Sequence, residues 1–204
     1  MKIGLLVFLA NDREDNNKRP YDAIRSVAQQ AETDGFDSIW LPDHLFYRNP
    51  GQPTRGIWEC WTMLSALAEA TKRLEIGTLV TCNSFRNPAI LAKMATTVDE
   101  VSHGRLILGV GAGWNEPEYH AFGLPFDHRV DRFEETLQIL KPLLQWGPCR
   151  FRRTILPSAK LRDRATRSSV RRATVDGGKR RGSSHAQADR TICRPLEHRL
   201  YGQT

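Results

Sequence analysis

Cysteine is scarce in this sequence and is never clustered. The four cysteines, Cys60, Cys82, Cys149 and Cys193, stand far apart, with no C-x-x-C pair and no histidine at the spacing of a metal site. This pattern argues against a zinc site and against a framework of disulfide bonds. Because free thiols persist in a reducing compartment, we expect a cytoplasmic protein without a bound metal.

Long apolar runs are also missing, and no segment approaches the roughly 18 apolar residues that a membrane-spanning helix needs. The chain opens with Met1-Lys2 and an apolar run over 3–10, a pattern that superficially resembles a signal peptide. This run is short and lacks a small-x-small cleavage site, so a first β-strand is the better interpretation. We therefore expect no membrane partner.

Acidic and aromatic residues are nearly absent from the last part of the chain. Residues 1–148 hold 15 Lys+Arg and 19 Asp+Glu, a net charge of −4, whereas residues 149–204 hold 15 and 4, a net charge of +11. The aromatic residues of this second segment are Phe151 and Tyr201. Too little apolar surface remains there to offset the entropy of ordering the chain, so disorder is expected.

This change of composition predicts an enzyme-like domain at 1–146 and an Arg-rich tail at 147–204. An abrupt switch from periodic to patternless, Arg-rich sequence is what out-of-frame translation of a GC-rich gene produces, so we expect a frameshifted or truncated gene. The alternative is a genuine tail that binds nucleic acid or another polyanion through runs such as G-G-K-R-R-G. The lack of aromatic residues that could stack on bases argues against nucleic acid as a partner.

Four strand–helix units precede this boundary. Continuous apolar runs predict four strands, at 2–9, 36–42, 74–81 and 105–110. Apolar residues at helical spacing predict four helices, at 19–33, 58–71, 88–102 and 129–144. Gly35 is expected to end the first helix, and Asn87 with Pro88 to begin the third, whereas the segment 43–56 is predicted to be a loop.

Repeated βα units indicate an α/β fold with parallel strands joined by right-handed crossovers. An eight-unit TIM barrel and an open doubly wound sheet both fit, and four units amount to half a barrel. We expect the first and fourth strands to be unpaired edges, which makes such a half-barrel unstable or prone to self-association. A dimer that completes an eight-stranded barrel is a further alternative.

Candidate functional residues follow the strands, because the βα loops of either architecture converge at the carboxyl ends. The first strand leads into Ala10-Asn11-Asp12, which we interpret as a solvated loop. Asp43-His44, after the second strand, is either a proton-transfer pair or an ordinary loop pair. After the fourth strand, glycines allow close approach of a ligand, but Trp114 stands where a dinucleotide fingerprint needs its third glycine.

Several stretches together resemble the bacterial luciferase-like monooxygenase family, which includes many oxidoreductases that use coenzyme F420, a deazaflavin. They are F-D-S-I-W-L-P-D-H-L-F, A-T-K-R-L-E-I-G-T-L-V-T, the run from R-N-P-A-I-L to G-V-G-A-G-W, E-x-x-x-F-G-x-P-F and R-x-x-R-F-E-E-T-L. These stretches cover residues 1–146 almost without a break. The resemblance implies a (β/α)₈ TIM barrel with FMN or F420 at the carboxyl ends of its strands.

By this resemblance His44 is the candidate catalytic residue for proton transfer, and a non-proline cis peptide is expected near Leu79-Val80. Trp114 replaces the acidic residue of the sugar-phosphate dehydrogenase branch, so that activity is not assigned, and Glu116 and Glu118 receive no role. The G-A-G-W form favours F420 over FMN. The cofactor-binding residues that the resemblance implies are Asp43, Val80, Thr81, Cys82, Asn83, Gly111, Ala112, Gly113 and Trp114.

The function expected from the resemblance is that of a flavin- or F420-dependent oxidoreductase, performing hydride transfer or monooxygenation on a small organic substrate. Members of the family continue with four further βα units where this sequence becomes Arg-rich. We therefore expect weak cofactor binding and little activity from this chain.

Overall fold

The computed structural model of the chain describes residues 1–11, 19–48 and 51–146, together with the strand Arg172–Val175. The expected disorder and polyanion binding of the tail fall outside these residues, apart from that one strand. Along the chain the elements are β1 (Gly4–Leu6), α1 (Tyr21–Thr33), β2 (Ser38–Leu41), β3 (Phe46–Tyr47), β4 (Arg55–Gly56), α2 (Cys60–Ala70), β5 (Glu75–Thr78), β6 (Thr81–Cys82), a 3₁₀ turn (Asn83–Phe85), α3 (Pro88–Val101), β7 (Leu106–Gly111), α4 (Glu116–Ala121), α5 (Arg129–Trp146) and β8 (Arg172–Val175).

The strands form a parallel sheet in which β1, β2, β5 and β7 are neighbours in that order. β6 resumes the line of β5 and pairs with the second half of β7, at Thr81↔Val110. In this sheet β1, β2, β5 and β7 therefore lie side by side in the order of their βα units, without the reversal of order that defines a doubly wound sheet. This sequential winding is that of a TIM barrel, and the four predicted βα units are present.

The core lies between one face of this sheet and the helices. Alternate residues of the strands, among them Ile39, Ile76 and Leu108, are almost completely buried with the apolar faces of α1, α2, α3 and α5, and so is Leu9, which follows β1. Trp40 lies on the opposite face of the sheet, where its indole N–H donates to the Ser38 hydroxyl. The helices thus cover one face of the sheet, as in the outer ring of a barrel.

The ends of two helices follow the predicted signals. Gly35 adopts a φ of +87° directly after α1, a left-handed conformation that glycine accepts without steric cost. At the start of α3 the Asn87 side chain accepts a hydrogen bond of 2.9 Å from the Ala89 N–H, and Pro88 occupies the first turn.

Two predictions about the loops and edges were wrong. The segment 43–56 contains the antiparallel pair β3–β4. The fourth strand, β7, is not an unpaired edge, because β8 pairs with it in parallel from Ile107↔Arg172 to Val110↔Val175. The physical reason is that an open strand edge presents unpaired N–H and C=O groups that any extended segment can satisfy, whatever its side chains.

None of the helices in the described ranges is long and apolar enough to cross a membrane.

Arg105 ties the amino-terminal ends of the sheet together. It precedes β7, and its guanidinium donates to the carbonyl oxygens of Ala68, Thr71 and Leu74 at 2.6, 3.0 and 2.8 Å, while its Nε donates to the Ser102 carbonyl at 2.6 Å. These carbonyls lie at the end of α2, directly before β5 and at the end of α3. One planar side chain therefore satisfies groups that helix ends leave without a partner.

We predict that Arg105→Lys lowers the free energy of unfolding by about 1–3 kcal/mol, because a lysine cannot present the same fork of donors to several carbonyls. Arg25→Lys is the matched control, since Arg25 lies on the surface and pairs with the exposed Asp22, and its effect should stay below about 0.5 kcal/mol. Urea unfolding of both variants measures the difference. Equal midpoints for the two would show that the Arg105 network contributes nothing.

Candidate active site

The predicted site residues meet at the carboxyl end of the sheet. Asp43 and His44 follow β2, the segment around Val80 links β5 to β6, and Gly111 is the last residue of β7. The Cys82 N–H donates to Asp43 Oδ2 at 3.0 Å, and the rings of His44 and Trp114 lie 5.5 Å apart. Three loops that are far apart in sequence therefore form one continuous surface.

Asp43 is held by a buried ion pair. Arg86 contacts both of its carboxylate oxygens, at 2.6 and 2.9 Å, and also binds Glu59, whose side chain caps the start of α2. Burial raises the pKa of Asp43 above its ordinary value, against the opposing effect of the Arg86 guanidinium. Because Arg86 and Cys82 occupy both oxygens, Asp43 can act on a bound ligand only indirectly, by positioning the chain around it.

His44 forms a second polar pair, with Glu118 of α4. The distance from His44 Nδ1 to Glu118 Oε2 is 3.0 Å, and the N–H groups of Leu45 and Phe46 donate to Oε1 at 2.6 and 3.2 Å. Burial raises the pKa of Glu118, but the hydrogen bonds from His44 and from these backbone groups outweigh it, so the pKa lies below its ordinary value. Glu118 is therefore an ionised carboxylate at neutral pH.

Two aromatic side chains hold the His44 ring in place. Tyr47 lies 4.7 Å from it at an interplanar angle of 47°, and Trp114 meets it nearly edge-on at 74°. Within the described residues, Nε2 of His44 has no hydrogen-bond partner. The imidazole ring is thus held by the contact of Nδ1 with Glu118 and by its two aromatic neighbours. Nε2 is left available for a hydrogen bond to a ligand.

The chain leaves the line of β5 at Leu79-Val80, and the peptide bond between these residues is cis, as the resemblance predicted. Gly111 lies against Val80 so closely that a Cβ at position 111 would come within 2.6 Å of the Val80 side chain. Gly113 has a φ of +78°, and a Cβ there would come within 2.0 Å of the Tyr119 hydroxyl. Side chains are therefore excluded at both glycines.

Three of the predicted cofactor-binding side chains point into the protein. Thr81, Cys82 and Asn83 are almost fully buried. The Cys82 thiol lies 3.1 Å from the Tyr119 hydroxyl, and burial raises its pKa to about 11. The Asn83 amide donates to the Thr136 hydroxyl at 3.4 Å. These three residues can reach a ligand only through their backbone groups.

The predicted residues that remain accessible form a mostly apolar surface. Leu79 and Trp114 are 45% and 60% exposed, which is unusual for large apolar side chains, and Val80, Ala112 and Gly113 are half-buried. His44 contributes the polar edge. An apolar face with few polar groups at its rim fits a planar ring system such as that of a flavin or a deazaflavin.

Sequence reasoning missed two residues of this site. Arg86 was part of the R-N-P stretch and Glu118 began the E-x-x-x-F-G stretch, yet neither received a role. A charged side chain inside an otherwise apolar or glycine-rich motif was the available signal. The partners of these side chains, Asp43 and His44, lie 43 and 74 residues away, a pairing that only the fold reveals.

We predict that Glu118→Gln costs about 1–3 kcal/mol of unfolding free energy at pH 7. Because the folded-state pKa of Glu118 lies below its unfolded-state value, this stabilisation is complete above the ordinary carboxylate pKa and is lost as the pH falls through the folded-state pKa. The difference from the wild type should therefore shrink between about pH 5 and about pH 3. Denaturant unfolding at a series of pH values measures it.

The matched control is Glu116→Gln on the same helix, since the Glu116 carboxylate is exposed and pairs with His120. This variant should differ little from the wild type at any pH. A penalty for Glu118→Gln that stays constant with pH would contradict the assignment of an ionised, hydrogen-bonded Glu118.

The comparisons with known proteins agree with this geometry. A profile of the luciferase-like monooxygenase family matches residues 1–172, which extends past Trp146, where the sequence pattern placed the end of the resemblance. The chain is 37% identical over 131 residues to the F420-dependent glucose-6-phosphate dehydrogenase of Amycolatopsis mediterranei, an alignment covering 61% of this chain and 38% of that protein. It is 31% identical over 168 residues to the pyrimidine monooxygenase RutA of Agrobacterium fabrum, covering 74% and 45%.

A solved structure of an F420-dependent secondary alcohol dehydrogenase in complex with an F420–acetone adduct superposes with a TM-score of 0.66 at 27% identity, covering 80% of this chain and 48% of that one. The chain spans less than half of the length of each of these three proteins. The match over residues 1–172 nevertheless includes most of the chain, and the winding of its sheet agrees with it. The chain belongs to the luciferase-like monooxygenase family.

Proposed function

We propose that this chain carries the proton-transfer half of the active site of an F420- or flavin-dependent oxidoreductase that acts on a small organic molecule. One observation supports the proposal above all. His44 is fixed through Nδ1 by Glu118 and leaves its Nε2 edge beside an accessible apolar surface. A histidine so placed can donate or accept a proton close to a reacting carbonyl or hydroxyl group.

The bound cofactor would supply hydride transfer or, as reduced FMN, oxygen activation. The residues of this chain would hold its ring. Leu79, Val80 and Trp114 offer apolar contact area, and the glycines at 111 and 113 let the backbone approach closely. Asp43, Thr81, Cys82 and Asn83 would act through backbone groups or through the position of the loop.

F420 is the better-supported cofactor of the two. Two of the relatives described above are named for F420, one of them at 37% identity. The relative named as a monooxygenase keeps oxygen chemistry as the alternative. The nature of the substrate beyond a small organic molecule, the cytoplasmic location and the domain boundary at 146 stay predictions of the sequence.

We predict that the chain binds F420 with a Kd in the micromolar to millimolar range, weaker than an enzyme with a complete barrel, and that Trp114→Ala weakens binding about tenfold. Loss of one aromatic contact of this size is worth about 1–1.5 kcal/mol. Ile90→Ala is the control, since Ile90 is an exposed apolar residue of α3 away from the site. Titration of F420 fluorescence, with FMN in a parallel series, measures the affinities.

An unchanged Kd for Trp114→Ala, or the same loss in Ile90→Ala, would contradict a specific contact of Trp114 with the cofactor. Failure of both F420 and FMN to bind at millimolar concentration would contradict the proposed function for this chain.

We also predict that the chain self-associates. Leu6 and Phe8 are 36% and 54% exposed on the first strand segment, and among the described strands β1 has a neighbour on one side only. An open edge beside exposed apolar side chains favours association of copies. Sedimentation velocity over a hundredfold range of concentration measures the state, and a monomer throughout would contradict the prediction.

A further inference from the structure

Three N–H donors converge on the Glu118 carboxylate. The backbone N–H groups of Leu45 and Phe46 both point at Oε1. His44 Nδ1 lies between the two oxygens, 3.0 Å from Oε2 and 3.2 Å from Oε1. The Glu118 side chain is 1% exposed, so solvent does not compete for these oxygens. Each carboxylate oxygen therefore has a fixed set of partners supplied by the segment that also carries His44.

An ionised carboxylate only accepts hydrogen bonds, so the atom that faces it must be a donor. At 3.0 Å from Oε2, Nδ1 of His44 must accordingly carry its hydrogen. In the neutral imidazole the other nitrogen is then the acceptor, and in the imidazolium it is the second donor. The proton that His44 exchanges would be the one at Nε2.

The other groups around His44 do not supply this constraint. Tyr47 and Trp114 contact the ring as aromatic neighbours, and neither is hydrogen-bonded to Nδ1. Asp43, the adjacent carboxylate, is turned away towards Arg86. Glu118 is the one residue of the described chain whose charge faces Nδ1.

We propose that Glu118 is a positioning residue that locks His44 in the Nδ1–H tautomer and makes Nε2 the proton-transfer atom of the site. The tautomer follows from the geometry of these two side chains. The use of Nε2 in catalysis rests on the proposed function.

The substitution Glu118→Gln gives this proposal an unusual test. The N–H groups of Leu45 and Phe46 still require an acceptor, so the amide oxygen of the glutamine takes the place of Oε1. The amide NH₂ then occupies the place of Oε2 and faces Nδ1 as a donor. The amide oxygen, 3.2 Å from Nδ1, already accepts from two backbone N–H groups, whereas the NH₂ donor faces Nδ1 at 3.0 Å. Acceptance at Nδ1 is therefore favoured, and it moves the imidazole hydrogen to Nε2. The variant should thus shift the tautomer towards Nε2–H rather than merely loosen the ring.

The experiment is long-range ¹H–¹⁵N correlation NMR on the full chain with ¹⁵N-labelled histidine. It is recorded at a pH where His44 is neutral, and the His44 signals are assigned by their loss in His44→Gln. The wild type should show the Nδ1–H tautomer, with Nε2 at the shift of an unprotonated nitrogen. Glu118→Gln should show the Nε2–H tautomer. Glu116→Gln, on the same helix, should match the wild type.

An Nε2–H tautomer in the wild type would overturn the proposal, and this reading does not depend on whether any variant folds. An unchanged tautomer in a folded Glu118→Gln would overturn it as well. Inversion in Glu118→Gln alone would support it, because a side chain with a merely structural role would shift or broaden the signals without moving the proton.

A second arm separates this proposal from the proposed function. F420 is added to the labelled wild type, and a change in the Nε2 shift of His44 on saturation places the cofactor beside that atom. The Nδ1–H tautomer could be confirmed while the Nε2 shift stays unchanged on addition of F420 and then of FMN. This result would support the role of Glu118 and contradict the proposed use of Nε2. Where F420 does bind, the Kd of Glu118→Gln for F420 should stay within about threefold of the wild-type value. The kcat of the F420-loaded variant should fall by about 100-fold or more.

Discussion

The carboxyl end of this sheet depends on the contact between Arg86 and Asp43. The guanidinium joins the loop after β2 to the start of α2 through Glu59, and Asp43 in turn receives the Cys82 N–H from the segment that follows the cis peptide. Burying these charges is favourable only because each has a partner at hydrogen-bonding distance; an unpaired Asp43 at this depth would be strongly destabilising. The interaction therefore does more than add stability. Through Asp43 it holds the loop that carries His44 against the segment that carries Val80 and Cys82.

The two ends of the sheet use arginine in different ways. At the amino-terminal end, Arg105 donates to main-chain carbonyls and closes the ends of α2 and α3 against β7. At the carboxyl end, Arg86 pairs with the carboxylates of Asp43 and Glu59 instead of with main-chain groups. The first arrangement satisfies the carbonyl oxygens of helix ends, and the second fixes the loop that carries His44 at the end of the sheet where the loops of a TIM barrel perform chemistry.

Much of this architecture could be predicted from local sequence, and the limits of that prediction have a physical cause. Periodicity and capping residues define the helices, because the i, i+4 geometry and the cap at Asn87 are local. The pairing of β3 with β4 was missed because strands of two residues are too short to show a periodicity, and β8 because its pairing depends on the open edge of β7, which is distant in sequence. For the site, the strand ends indicated His44 and Trp114. The partner of His44 could not be inferred, since α2 and α3 separate β2 from α4 along the chain and only the fold brings Glu118 beside His44.

The environment of His44 is complete within the first four βα units. Its charged partner, its two aromatic neighbours and the backbone groups that orient Glu118 all come from the β2 loop and the β7 loop with α4. A cofactor, by contrast, extends across the end of a barrel, and this chain spans less than half of the length of the relatives compared with it. Under the proposed function, proton transfer and cofactor affinity would therefore depend on different parts of the fold. The contacts that fix His44 come from the described residues, whereas the area that would hold a cofactor extends over more of a barrel than these residues form.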